Sequence, residues 1–317
     1  MTEPIWKFKD WVPYHMIKKL NFQCYVLSSN PNSVWFLYKN PTLIDWNSLS
    51  YNINAISLLS QNLDKINWYY LSLNSSAIEL LTNNQDKIIW SNLSSNTFAI
   101  ELLSKNLDKV SWYYLSANPA AINILLQNID KINWGGLSIN PSAIDLLSKN
   151  IDKINWCALS RNPSAIDLLT SNLDKINWQA LSNNPSAINL LSLNQDKIDW
   201  CTLCNNPSAI NLLTQNQDKI DWKILSRNPS AIHLLTQNQN KIDWKILSLN
   251  PSATYLLSQN IDKIDISNIF RNPNIFELDY TEIKMRSNIY SEELMMCALH
   301  PSRIQKIIDD GYNIDDF

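Results

Sequence analysis

Tryptophan stands at Trp46, Trp68, Trp90, Trp112, Trp134, Trp156, Trp178, Trp200, Trp222 and Trp244, an arithmetic series of step 22 that no insertion or deletion interrupts. Counted from each Trp as position 0, Leu recurs at +3, Ser at +4, Asn at +6, Pro at +7, Ala at +9 and Ile at +10. Leu follows at +12 and +13, Asn at +16, Asp at +18, Lys at +19 and Ile at +20. A fixed vocabulary at a fixed step folds as a stack of like units, each burying its apolar face against its neighbours. The phase runs back to Cys24, with Leu27, Ser28, Asn30, Pro31, Phe36, Leu37 and Asn40 in their slots, and forward to Ile266, with Ile269, Asn272 and Pro273. The array therefore holds about twelve units, the outer two degenerate.

Each unit carries two helix-start signals. Asn or Asp precedes most of the Trp residues, as at Asn67, Asn133, Asp199 and Asp243, and Asn-Pro fills +6 and +7. Such side chains accept from the free N–H groups of a first turn, and Pro at the first helical position has no N–H to leave unpaired. The first signal opens a short helix A, W-x-x-L-S; the second opens a helix B of about ten residues, P-S-A-I-x-L-L-x-x-N. On a helical wheel Ala +9, Leu +12, Leu +13 and Asn +16 share about 100° of arc, while the variable positions +8, +11, +14 and +15 take the opposite side. Asn at +16 suits a left-handed residue that ends helix B. A buried indole removes roughly 200 Å² from water, about 4–5 kcal/mol before ordering costs, so Trp is expected to supply much of the stacking energy.

A leucine-rich β-horseshoe shares the 22-residue period and the L-x-x-N phrase. Its inward strand position would fall at +1, which holds Tyr69, Gly135, Gln179 and Lys223 in different units, and that mixture excludes it. The fold class expected is all-α: an α-solenoid of about twelve 22-residue helical-hairpin repeats, elongated along one axis, with terminal caps. Residues 1–23 read as an N-terminal cap, 24–287 as the tandem repeats and 288–317 as a C-terminal helical cap. Within the last, Ser291 is expected to cap a helix, and His300-Pro301 to open another that Gly311 closes.

The chain has 317 residues and a formal charge of −3, so its overall charge attracts neither nucleic acid nor an anionic membrane. The start MTEPIWKFKDW has no apolar core of a signal peptide, and no stretch approaches 18 apolar residues. The expectation is a cytoplasmic, non-secreted protein with reduced thiols and no membrane association. Only three Gly occur, which leaves no Gly-rich phosphate loop. Cys201 and Cys204 form a single C-x-x-C with no second Cys or His pair to complete a zinc site. His15, His233 and His300 neither recur with the period nor stand in a nucleophile motif. No catalytic, cofactor or metal residues are therefore assigned, and the protein is expected not to be an enzyme.

Two periodic features point to binding. The Lys residues at +19, from Lys65 to Lys263, could track a phosphate backbone, but nearly all follow an Asp, so they read as loop ties rather than as a cationic stripe. The outward slots of helix A carry the paired aromatics Tyr69, Tyr70, Tyr113 and Tyr114, and later Lys223, Ile224, Lys245 and Ile246. Aromatic and apolar groups on a solvent-facing row are what an interface uses, so these eight are the candidate partner-binding surface. Between the two patches, Gly135-Gly136 leaves either a contact notch or a softened helix.

The phrase I-[ND]-W-x-x-L-S-x-N-P-x-A-I-x-L-L-x-x-N-x-D-K resembles the tryptophan-repeat proteins that giant DNA viruses of the mimivirus type encode in many copies. The ending HPSRIQKIIDDGYNIDDF is similar to the segment that closes such proteins, and the likeness covers roughly residues 20–317. It implies a viral protein acting in the infected host's cytoplasm or in the virion, and carries over no catalytic residues. The function expected is a non-enzymatic repeat scaffold for protein–protein interaction. RNA or single-strand binding ranks second, and the partner's identity and the oligomeric state stay open.

Overall fold

The computed structural model describes residues 5–17, 24–298, 300 and 303–305. Most units are a run of four short helical pieces; the units of Trp46, Trp68 and Trp156 lack a 3-10 turn before helix B, that of Trp90 lacks one after it, and the last unit ends in a strand. In the unit of Trp178, helix A spans Trp178–Ser182, a 3-10 turn spans Pro185–Ala187, helix B spans Ile188–Ser192 and a second 3-10 turn spans Gln195–Lys197. The all-α solenoid of the sequence is thus present, built of shorter helices than the ten-residue helix B expected. The P-S-A step forms its own 3-10 turn because the Asn +6 carbonyl accepts from the Ala +9 N–H three residues on, as Asn184 does from Ala187 at 3.1 Å.

The caps before Trp form as the sequence suggests. Asp45, Asn133, Asp199 and Asp243 accept the backbone N–H three residues ahead at 2.7–2.9 Å, and Asn67 accepts at 3.1 Å from Tyr69. Asn +16 does not enter the left-handed region. Asn62, Asn128 and Asn194 have φ between −133° and −138°, and their Nδ2 donates to the carbonyl four residues back at 2.8–2.9 Å. Helix B is ended by this side-chain bond to its own last turn, which needs no positive φ.

Leu +3, Ala +9 and Leu +13 are fully buried from unit to unit and form one continuous apolar core. Beside it runs a belt of buried Asn at +6, from Asn30 every 22 residues to Asn272. Each Nδ2 donates to the carbonyl of the Asn in the unit before it at 2.8–3.2 Å. All but Asn96 are also within reach of the preceding unit's +4 carbonyl. Each Oδ1 accepts the N–H at +8, the cap that the sequence signals. Ser +4 adds a second tie: its Oγ donates to the Trp carbonyl of its own helix and accepts the N–H just before the next Trp, as Ser160 does with Trp156 at 2.7 Å and Asn177 at 3.0 Å.

The belt has no free end. Asn30, in the first unit, donates to the carbonyls of Asn272 at 3.1 Å and Phe270 at 2.9 Å, in the last, the same two positions that serve the internal units apart from Asn96. The array is a closed ring, not the elongated rod that the sequence suggested, and twelve units sharing one turn rotate by about 30° each. Successive A helices and successive Pro-Ser-Ala turns touch, whereas successive B helices stand further apart. In a closed ring the closely spaced elements lie on the inner circumference, so the A helices line the inside. Small Ser, Asn and Ala at the inner edge and larger Ile and Leu of helix B at the outer edge make each unit a wedge.

The chain ends lock the join. Strand β1 (Trp6–Phe8) pairs antiparallel with β2 (Phe276–Leu278), Phe8 facing Phe276. The Phe8 ring packs on Phe36 of the first unit and on Phe270 and Phe276 of the last, at 4.4–6.0 Å between centroids. Phe270 occupies the Ser +4 slot, so an apolar plug replaces the hydroxyl tie at this one joint. Lys7 pairs with Glu277 at 3.2 Å, and Lys39 with Glu282 at 3.9 Å. A closing helix, Tyr280–Ala298, passes through Ser291 without a break, so no helix begins there. Asp279 caps that helix instead, accepting from Glu282 at 3.2 Å. Arg303–Gln305 follow His300 as a helical turn, with the Arg303 N–H 2.8 Å from the His300 carbonyl; Gly311 lies outside the described residues.

Replacing Asn162 by Ala removes the amide that donates to the Ser138 and Asn140 carbonyls and accepts the Ser164 N–H, leaving the Asn140 carbonyl only its bond from Ala143. The expected loss in urea unfolding is about 3 kcal/mol, against about 1 kcal/mol for Asn155→Ala, which removes only a helix cap. Equal losses would mean that the belt is no more than a second row of caps.

Candidate functional surface

The candidate residues all lie on helix A, at +1 and +2, hence on the inner face of the ring. Tyr69, Tyr70, Tyr113 and Tyr114 are 53%, 40%, 56% and 45% exposed. Within each pair the rings meet edge to face, at 5.3 Å and 88° for Tyr69 with Tyr70 and at 5.1 Å and 86° for Tyr113 with Tyr114. That geometry satisfies the ring quadrupoles while leaving ring surface open to solvent. Lys223 and Lys245 are exposed, and Ile224 and Ile246 are half-buried. The Tyr and Lys/Ile patches belong to different units, so the ring places them in separate sectors rather than in one pocket.

Gly135 and Gly136 stand between them. Helix A of this unit, Trp134–Ile139, is intact, so the glycines do not soften it out of helical form. A Cβ on Gly136 would lie 2.7 Å from the Tyr113 carbonyl and 3.4 Å from Ser116 Cβ. Gly136 therefore lets this A helix approach the preceding one closely, and the Tyr113–Tyr114 pair sits directly beside that contact.

A shallow groove of about 400 Å³ crosses the inner face of the first three units, lined by Ser29, Asn47, Ser48, Tyr51, Tyr70 and Leu73. Asn47 Oδ1 accepts from Asn67 Nδ2 at 2.7 Å, which orients the Asn47 amide. Across the closure, Arg271 lies 5.7 Å from the Tyr25 ring, joining the last A helix to the first. A smaller cleft of about 230 Å³ on the outer side holds Trp35, Tyr38 and Arg286. Arg286 covers Trp35 at 4.1 Å and Lys39 approaches the same ring at 4.9 Å. This cleft belongs to the clasp, where the closing helix meets the first B helix, Val34–Lys39.

The Lys ladder has a different role from the loop ties expected. Each Lys from Lys65 to Lys263 lies over the indole of its own unit's Trp, at 4.4–5.1 Å from the ring centroid. Among the described residues, none of these lysines pairs with the Asp before it. The Trp rings are half-buried rather than enclosed, so the cations shield a face that would otherwise meet water, at about 0.5–1 kcal/mol per pair. The sequence carried this signal as the constant 19-residue offset between Trp and Lys; it was hidden by the more conspicuous Asp-Lys adjacency.

Cys204 fills the Ser +4 slot and its thiol takes over that hydroxyl's bond, donating to the Trp200 carbonyl at 3.2 Å. Burial pushes the Cys204 thiol up to about 11. Cys201 and Cys157 are exposed. Among the described residues no three or more His, Cys, Asp or Glu side chains gather as a metal site, and no helix is long and apolar enough to cross a membrane. Because a raised pKa keeps the thiol protonated, Cys204 should resist a maleimide or disulfide reagent at pH 8 in the folded protein. Peptide mapping is expected to show Cys157 and Cys201 modified, and Cys204 only after denaturation; prompt labelling of Cys204 would contradict its place in the ring seam.

No family model, curated protein or solved structure matches this chain.

Proposed function

We propose that this protein is a non-enzymatic scaffold that holds a macromolecular partner on the inner face of its ring. The observation that supports this is the division between constant and variable slots. Positions +3, +4, +6, +9 and +13 repeat because they build the belt and the core, while +1, +2 and +5 of helix A vary from Tyr to Gly to Lys along one continuous face. A rigid curved surface of this kind gains affinity from many shallow contacts at little ordering cost. A viral origin, and action in an infected host's cytoplasm or in the virion, are part of the proposal and rest on the wording of the repeat.

The test is affinity capture from host-cell lysate with the full chain and with a Tyr69→Ser, Tyr70→Ser, Tyr113→Ser, Tyr114→Ser variant, each with and without nuclease. These side chains are exposed, so the variant should keep the parent's circular dichroism. The expected result is a set of specific partners held by the parent and lost by the variant. Identical profiles from both proteins would remove the inner face as the binding surface.

A further inference from the structure

The distribution of charge on the two faces of the ring goes beyond what the net charge conveys. The inner helix-A slots +1, +2 and +5, three in each of twelve units, hold no Asp or Glu anywhere. They hold Arg161, Lys223, Arg227, Lys245 and Arg271, and the tyrosines Tyr25, Tyr51, Tyr69, Tyr70, Tyr113 and Tyr114. The outward +11 slot of the B helices instead carries Glu79, Glu101, Asp145 and Asp167. Carboxylates do occur beside the inner face, at Asp45 in the tyrosine sector and at Asp199, Asp221, Asp243 and Asp265. Each directs an Oδ1 into its own helix cap at 2.7–3.0 Å and is half-buried there, whereas the inner-slot cations, Ile-flanked Lys223 and Lys245 among them, extend to solvent.

We infer that the inner face binds single-stranded nucleic acid, its bases stacking on the tyrosine sector and its phosphates meeting the cationic sector. This rests on the scaffold reading above and names the chemistry of the partner. An acidic peptide suits the Arg and Lys sector equally well, but gains nothing along the arc from Tyr25 to Tyr114, where Arg271 across the closure is the one inner-slot cation adjoining it. A nucleotide carries both a flat π-face and an anion, so one polymer answers both sectors. The groove beside Tyr51 and Tyr70 adds a flat-sided space with an amide, Asn47, and hydroxyls, Ser29 and Ser48, at its rim. Twelve A helices at an ordinary packing distance of about 8–10 Å trace a circle roughly 30–40 Å across. Subtracting about 5 Å of side chain on each side leaves an opening of roughly 20–30 Å, ample for a single strand.

The experiment is fluorescence anisotropy with a labelled 20-nucleotide oligo(dT) and the full chain, over a range of salt, with poly-glutamate as competitor. Tyr70→Ala with Tyr114→Ala should weaken binding about 10-fold or more, since stacking on an aromatic ring contributes about 1–3 kcal/mol per base. Lys223→Gln with Lys245→Gln should lower the slope of log affinity against log salt by roughly one. Lys105→Gln with Lys149→Gln, on outer B helices, should change neither. No binding at low salt, an unchanged affinity in the tyrosine variant, an equal effect of the outer lysines, or displacement by poly-glutamate as readily as by unlabelled oligo(dT) would each overturn the inference. If the oligonucleotide fails while captured proteins survive nuclease and are lost with the tyrosines, this inference falls and the scaffold reading stands. If capture is also the same for parent and variant, both fall.

Discussion

The structure depends on one side-chain amide used in full. An Asn at +6 accepts one backbone N–H in its own unit and gives its Nδ2 hydrogens to the unit before. A buried amide left unpaired is costly, and one with all partners present is specific, because the bonds form at only one offset between units. Apolar stacking of Leu on Leu would tolerate a slide or a change of curvature; the belt does not. It sets both the distance and the angle between neighbours, and repetition turns that angle into the shape of the whole molecule.

Closure follows from the angle, and the ends are built to meet it. Strand β1 (Trp6–Phe8) and the second half of the last unit hold little of the repeat vocabulary, yet they carry the groups that bridge the join: Phe8, Lys7, Glu277 and Glu282. A solenoid with two free ends must cover two apolar faces. A ring covers each with the other, and the terminal segments then fasten a joint rather than shield an exposed face. Phe270 in place of Ser marks where the array stops repeating itself and begins to fasten.

Much of a single unit was legible in the sequence, because its signals act within a few residues. The Asn or Asp before Trp, the Asn-Pro pair and the fixed Leu positions each report a local backbone need that the structure meets. The misreadings concern what side chains do beyond their own turn. Asn +16 bonds its own helix instead of adopting positive φ, Lys +19 covers a Trp instead of pairing with Asp, and Ser291 lies inside a helix capped from Asp279. Curvature was not legible at all, since a period of 22 residues states that units are alike but not the angle between them. The candidate inner-face residues were found because variable slots stand out against a constant background. That these slots exclude carboxylates became visible only once the A helices were known to share one face, and it moves nucleic acid from second place to the partner proposed.

The central claim is the closed ring, and small-angle X-ray scattering of the full chain in solution tests it most directly. Twelve units joined end to end in a circle should give a maximum dimension of about 60–70 Å and a distance distribution with the broadened plateau of an annulus. An open array of the same units at about 8–10 Å each would extend to roughly 100–120 Å. A maximum dimension in the longer range, with the profile of a rod or open arc, would contradict the account.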